Sequence, residues 1–204
     1  MLIHIDVSMK TLNRPALKLS QAFALTSLLT FSSATLCASL IDDFSNEKDN
    51  NLSLARQFMS DTVAGGSTQV EPTISAGILQ VKGKIVPPRG QPGWASSILP
   101  LSQEGRPEDA SQFIGIKLLV KIYSGNMSIS ANSTEVTNFD YHAAPLLVAA
   151  DGIFHEVKMP FESIKRAWSE QTSLNRSTLN SLSIVAFSLQ PASFAFEVDE
   201  VSFY

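Results

Sequence analysis

The sequence is poor in the residues from which most catalytic and metal sites are made. It contains one cysteine, Cys37, and three histidines in 204 residues, which excludes a disulfide framework and a cysteine-rich zinc site. Only 17% of the residues are charged and the net charge is −4, so no basic face is implied and nucleic acid is not an expected partner. There is no Gly-x-Ser-x-Gly elbow, no phosphate-cradling glycine loop and no dinucleotide fingerprint. His155-Glu156 opens like a zinc-protease helix, but Met159 stands where the second ligand would fall, in a segment with the period of a strand. No catalytic residues are assigned. Long apolar runs are scarce too. The stretch from Ala22 to Phe31 is broken by Thr26, Ser27 and Thr30 and is shorter than the roughly 20 residues that cross a bilayer, so no permanent membrane span is expected.

What is present divides in two. From Met9, a more natural start than Met1, the basic residues Lys10, Arg14 and Lys18 precede the apolar block, and Ser32, Ser33, Ala34, Ala38 and Ser39 follow it. That is the order of a cleavable secretory leader, here residues 1–39, cut after Ala38 or Ser39. A periplasmic or secreted domain at 40–204 follows from it. A mitochondrial transit peptide is the alternative, but it would spread its basic residues along an amphipathic helix. Removing Lys10, Arg14, Lys18 and Asp6 from the 15 basic and 19 acidic residues leaves 12 and 18, or −6.

Beyond Leu40 the apolar period is two. Ile114, Ile116, Leu118, Val120 and Ile122 share one face of an expected strand. Similar alternation marks Leu79/Val81, Met127/Ile129/Ala131, Val185/Phe187/Leu189, Phe194/Phe196/Val198 and Ile153/His155/Val157/Met159, with His155 on the apolar side. Turn formers separate them, including Gly65-Gly66, Pro87-Pro88, Gly125-Asn126 and Asp151-Gly152. This spacing predicts an all-β sandwich in one domain, with helical turns only at Pro160–Trp168 and Ser173–Asn180.

Sugar rings stack on flat apolar side chains, so the candidate ligand residues are Arg89 and Trp94 in the loop from Arg89 to Trp94, and Asn138, Tyr141 and His142. Trp94 also fits as a core plug, and Trp168 as a cap on the core. Asp61, Gly65 and Gly66 form a tight turn whose glycines accept positive φ, and secondarily a ligand loop. Asp42, Asp43, Asp199 and Glu200 lie near the two ends of the domain and could hold a structural calcium ion, against the plainer reading of solvated acids beside edge strands. Asn51, Asn126, Asn132 and Asn175 head glycosylation sequons.

Several segments, taken in order, resemble the complex I intermediate-associated protein 30 family. They are Leu40-Ile41-Asp42-Asp43-Phe44, the run Ser60-Asp61-Thr62-Val63-Ala64-Gly65-Gly66-Ser67, Gly93-Trp94-Ala95-Ser96, the run from Asp109 to Ile116, Val157 to Phe161, and Phe196 to Val201. The family's Asp-Thr-Val-Met-Gly-Gly-Val-Ser has Ala64 here in place of Met and no residue between Gly66 and Ser67. The resemblance implies a galactose-binding-like jelly roll that binds or assists assembly without catalysis and without a cofactor. It also implies kinship with carbohydrate-binding modules, whose Trp-x-x-Val-x-Ile-Pro-Phe-like segment corresponds to Phe154–Phe161. The expected partner is a protein or a carbohydrate. A chaperone-like assembly factor would show a large exposed apolar patch, whereas a hydrolase would need paired carboxylates in a cleft.

Overall fold

The computed structural model describes residues 39–204. The leader expected at residues 1–39, with Met9 and Cys37, lies outside the described residues except for Ser39. Among the described residues eleven strands form two antiparallel sheets: β1 (Ser39–Asp42), β2 (Gln57–Ser60), β3 (Gln69–Ser75), β4 (Ile78–Ile85), β5 (Gly93–Pro100), β6 (Gly115–Ser124), β7 (Asn126–Ser133), β8 (His142–Pro145), β9 (His155–Pro160), β10 (Leu179–Ser188) and β11 (Ala192–Phe203). The six-stranded sheet runs β3-β4-β11-β6-β9, with β1 also paired to the end of β11, and the five-stranded sheet runs β2-β5-β10-β7-β8. This is an all-β jelly-roll sandwich. Among the described residues there is no α-helix. The two expected helical turns shrink to 3-10 turns at Phe161–Ser163 and Arg176–Thr178.

Alternation explains which side chains fill the space between the sheets. Ile116, Leu118, Val120 and Ile122 of β6 and Phe194, Phe196 and Val198 of β11 are buried, as are Leu182, Ile184 and Ala186 of β10 and Met127, Ile129 and Ala131 of β7. Each such Val, Leu, Ile, Phe or Met side chain contributes roughly 1.5–3 kcal/mol by leaving water. The β3–β4 hairpin turns on Ala76 and Gly77, both at positive φ (53° and 75°), as a two-residue turn matched to strand twist demands.

Three core expectations are corrected, the first being Ile153, which is 62% exposed because β9 begins only at His155. Ile114 is 51% exposed, because β6 begins only at Gly115. Val185, Phe187 and Leu189 do not face the core. Register pairs Val185 with Ser96 and Ser128, and Phe187 with Trp94 and Asn126, while the intervening positions Ala95, Ala186 and Met127 are the buried ones. Val185 and Phe187 therefore lie on the outer face of the five-stranded sheet, and Leu189, beyond the strand, is 79% exposed.

The two outer faces differ in charge. On the six-stranded sheet Lys82 pairs with Glu71 (3.4 Å), Lys117 with Glu200 (2.9 Å), Lys121 with Glu197 (2.6 Å) and Lys158 with Glu156 (3.7 Å). Such surface pairs are worth at most about 1 kcal/mol each, but they mark a face built for water. The five-stranded sheet has no charged residue at any outward position of its strands.

Candidate functional site

The uncharged outer face is built rung by rung. One rung carries Trp94 of β5, Phe187 of β10 and Asn126 of β7; the next carries Met59, Ser96, Val185, Ser128 and Pro145; a third carries Gln57, Ile98, Ser183, Ser130 and Ala143. Flat or aliphatic groups thus alternate with hydroxyls and amides. In the middle of the face Ser130 Oγ donates to Asn132 Oδ1 (3.0 Å), and Asn132 Nδ2 donates to Ser181 Oγ (3.0 Å) and Ser183 Oγ (2.7 Å). That network fixes the side-chain orientations before anything binds, which lowers the entropy lost in recognition. The flanking charges are Arg89, exposed in the loop before β5, and Lys165, bridged to Ala143 at the opposite edge.

Trp94 is half-buried on this face, one residue from core-facing Ala95. It is not a core plug. Its backbone N–H donates to Asp61 Oδ2 (3.2 Å), and the same carboxylate accepts from Thr68 N–H (3.0 Å) and Thr68 Oγ1 (2.7 Å). Asp61 is fully buried. Gly65, at φ 85°, ends the 3-10 turn Asp61–Ala64, and Gly66 N–H closes it onto Asp61 O (2.8 Å). A Cβ on Gly66 would collide with Asp61 Oδ1, and one on Gly93 would lie 2.9 Å from Asp61 Oδ2. The glycines are there to let a buried carboxylate pin the first residues of β5. Asp61, Gly65 and Gly66 hold the site in place from below.

The other candidates gather at the far corner. Tyr141 directly precedes β8 and lies past the His142–Ala131 rung. That puts it about 25 Å from Trp94 by strand rise and spacing. His142 is buried, its Nε2 donating to Thr172 O (2.8 Å) and its Nδ1 left without a partner. It acts inside, tying down the segment that passes the edge of β8. Asn138 accepts from Arg166 Nη2 (2.9 Å) and donates to Ser169 Oγ (2.9 Å).

Between them Asp140 accepts the backbone N–H groups of Ala167 (2.9 Å), Trp168 (3.1 Å) and Ser169 (2.6 Å). Burial pushes its carboxyl upward, but the donors of Ser169, Ala167 and Trp168 outweigh this and hold it below the usual carboxylate value. Burial likewise raises the Tyr141 phenol. Trp168, expected to cap the core, is instead 70% exposed, and Phe139 is 78% exposed. Both were missed as surface aromatics because long-range bonds to Asp140, not local sequence, decide where this loop points.

Three of the four terminal acids are engaged elsewhere. Asp42 is buried and bound bidentately by Arg56, Nε to Oδ2 at 2.5 Å and Nη2 to Oδ1 at 2.6 Å. Asp43 accepts Ser45 N–H (3.0 Å), and hydrogen bonding from the Ser45 side chain, then its backbone, lowers the Asp43 pKa. Lys117 takes Glu200 and lowers it likewise, and Asp199 is half-buried. Among the described residues no group of three or more His, Cys, Asp or Glu could hold a metal ion, and no helix is long and apolar enough to cross a membrane.

The family model of complex I intermediate-associated protein 30 matches residues 43–198. The chain belongs to this family. The matched stretch includes the Asp61 turn and the start of β5, the two parts that position Trp94. A search of curated proteins finds no match. Among solved structures the chain is similar to the family 11 carbohydrate-binding module of a cellulosomal cellulase of Clostridium thermocellum, at 16% identity and TM-score 0.61 over 82% of this chain and 94% of that one. It is also similar to a family 30 carbohydrate-binding module (15%, TM-score 0.52, 81% and 98%). A third likeness is to part of the agarase AgWH50C (12%, TM-score 0.54, 81% and 24%). At these identities the likeness is one of fold.

Proposed function

We propose that this protein is an exported, non-catalytic binding domain that holds a neutral glycan on the outer face of its five-stranded sheet. The observation that carries the reading is the contrast between the two faces: one is laced with ion pairs, the other bears Trp94, Phe187, Ile98 and Met59 among serines and asparagines with no charge. A neutral sugar offers C–H faces to aromatic rings and hydroxyls to polar groups, and it brings no charge for the site to neutralise. The likeness to carbohydrate-binding modules, one of them in complex with a β-1,3-1,4-mixed-linked tetrasaccharide, supports the same reading. Binding in this form needs no cofactor, and an export leader would place the domain where polysaccharides are met.

Affinity electrophoresis of the purified protein in gels containing mixed-linkage glucan, cellulose derivatives or agarose tests the proposal. Retardation by one of these polymers, lost in Trp94→Ala while the thermal transition persists, is the expected result. Migration unaffected by any neutral glycan would overturn it. The family's association with intermediates of complex I assembly would then favour a protein partner, to be sought by cross-linking.

A further inference from the structure

We propose that the aromatic corner formed by Phe139, Tyr141 and Trp168 is a second contact for the same ligand, so that the protein takes an extended linear polysaccharide and not a single sugar or chain end. This rests on the glycan reading above.

Three observations meet at this corner. Phe139 and Trp168 are 78% and 70% exposed, the two most exposed aromatic side chains among the described residues. The Phe139 ring stands edge-on to Tyr141 at 6.4 Å. Phe139 also adopts φ 62°, a left-handed conformation that a bulky residue takes only when its surroundings impose it. Next to it Asp140 fixes three successive N–H groups from Ala167 to Ser169. Arg166 adds bonds from Nε to Asp140 O (3.2 Å) and from Nη2 to Asn138 Oδ1 (2.9 Å). Exposed rings on so many bonds are presented in a fixed arrangement, as a ligand platform requires.

The corner is continuous with the uncharged face. Ala143 of β8 lies on that face and pairs with Lys165 in both directions (2.8 and 3.0 Å). The chain from Lys165 onward then runs along the edge of β8 to Trp168. A ligand touching both Trp94 and this corner must span about 25 Å of sheet, several sugar units long. Between the two lie half-buried Val185 and Ser128, over Ser130, Asn132 and Ser183, which are buried and bonded to one another and hold that part of the face rigid.

The test is a calorimetric titration of the full protein with mixed-linkage gluco-oligosaccharides and agaro-oligosaccharides from trisaccharide to octasaccharide, repeated with the double variant Phe139→Ala/Trp168→Ala. Wild-type affinity is expected to rise with chain length. The double variant should bind the longest oligosaccharide about tenfold more weakly, equivalent to about 1.4 kcal/mol, while binding the trisaccharide unchanged. Because both rings are exposed, their removal leaves the core intact, and circular dichroism checks this. Equal affinity for all lengths, or an undiminished length gain in the variant, overturns the second contact and leaves the sheet face standing. If the wild type binds no saccharide of any length, the glycan reading fails and this inference with it.

Discussion

Replacing Asp61 with Ala should destabilise this protein far more than a single surface acid would. The carboxylate is fully buried and accepts three hydrogen bonds, from Thr68 N–H, Thr68 Oγ1 and Trp94 N–H. A hydrogen bond to a charged group is worth about 1.5–3 kcal/mol, and each buried donor left without a partner costs about 1–3 kcal/mol. These terms overlap, since a water molecule entering the vacated space can serve one donor, so the expected loss is about 3–5 kcal/mol. Asp61→Asn should lose less, about 1–3 kcal/mol, because its amide keeps one acceptor but sets a donor against Trp94 N–H or Thr68 N–H. Urea denaturation of wild type and both variants, followed by circular dichroism, measures this. Because Asp61 holds the backbone of Trp94, Asp61→Asn should also weaken glycan binding without touching the face. A loss under 1 kcal/mol in Asp61→Ala would refute the role assigned to this carboxylate.

Gly65→Ala, at φ 85° in open space, should cost about 1–2 kcal/mol through backbone strain alone. Gly66→Ala should approach the Asp61→Ala loss, since its methyl would displace the carboxylate; thermal melts separate the two. Arg56→Ala should cost about 3–5 kcal/mol in denaturant titrations by leaving Asp42 buried without its counter-ion. The Asp140 carboxyl is held below its ordinary value of 3.8, so its contribution is present above that value and is lost as pH falls through the folded-state value. The stability gap between wild type and Asp140→Asn should therefore narrow on acidification, and a gap that widens would contradict the sign. The proposed export leader predicts that mass spectrometry of the protein recovered from cells finds Ser39 or Leu40 as the first residue, and an intact N-terminus would contradict it. Cleavage after Ala38 keeps the Ser39–Phe203 pair of β1 and β11.

Strand identity was legible from residues such as Ile116, Leu118, Val120 and Ile122, because a period of two admits only one buried face when the alternate positions are polar. It failed on β10, where Leu182, Ile184 and Ala186 compete with Val185 and Phe187 as equally apolar sets. Only pairing to Ala95 and Met127 settles which set is buried. That ambiguity concealed the candidate site, since a face bearing Phe187 and Val185 resembles a core in sequence. The aromatic corner was half legible: Asn138 and Tyr141 were identified, but Phe139 and Trp168 are presented by bonds between segments 28 residues apart. Asp42 was legible as an acid near a chain end, but its partner Arg56 lies 14 residues away on no shared local motif. Local patterns show what a residue can do, and long-range pairing decides what it does.

We propose above that the uncharged face of the five-stranded sheet binds a neutral glycan. The most direct test is an amide chemical-shift titration of the isotopically labelled protein with the oligosaccharide that best retards it in gels. Shifts confined to β5, β7 and β10, led by Trp94, Ser96, Ser128 and Phe187, with Lys82, Lys117 and Glu197 unmoved, are the predicted result. Shifts confined to the ion-paired face of the six-stranded sheet, or none at saturating saccharide, would contradict it.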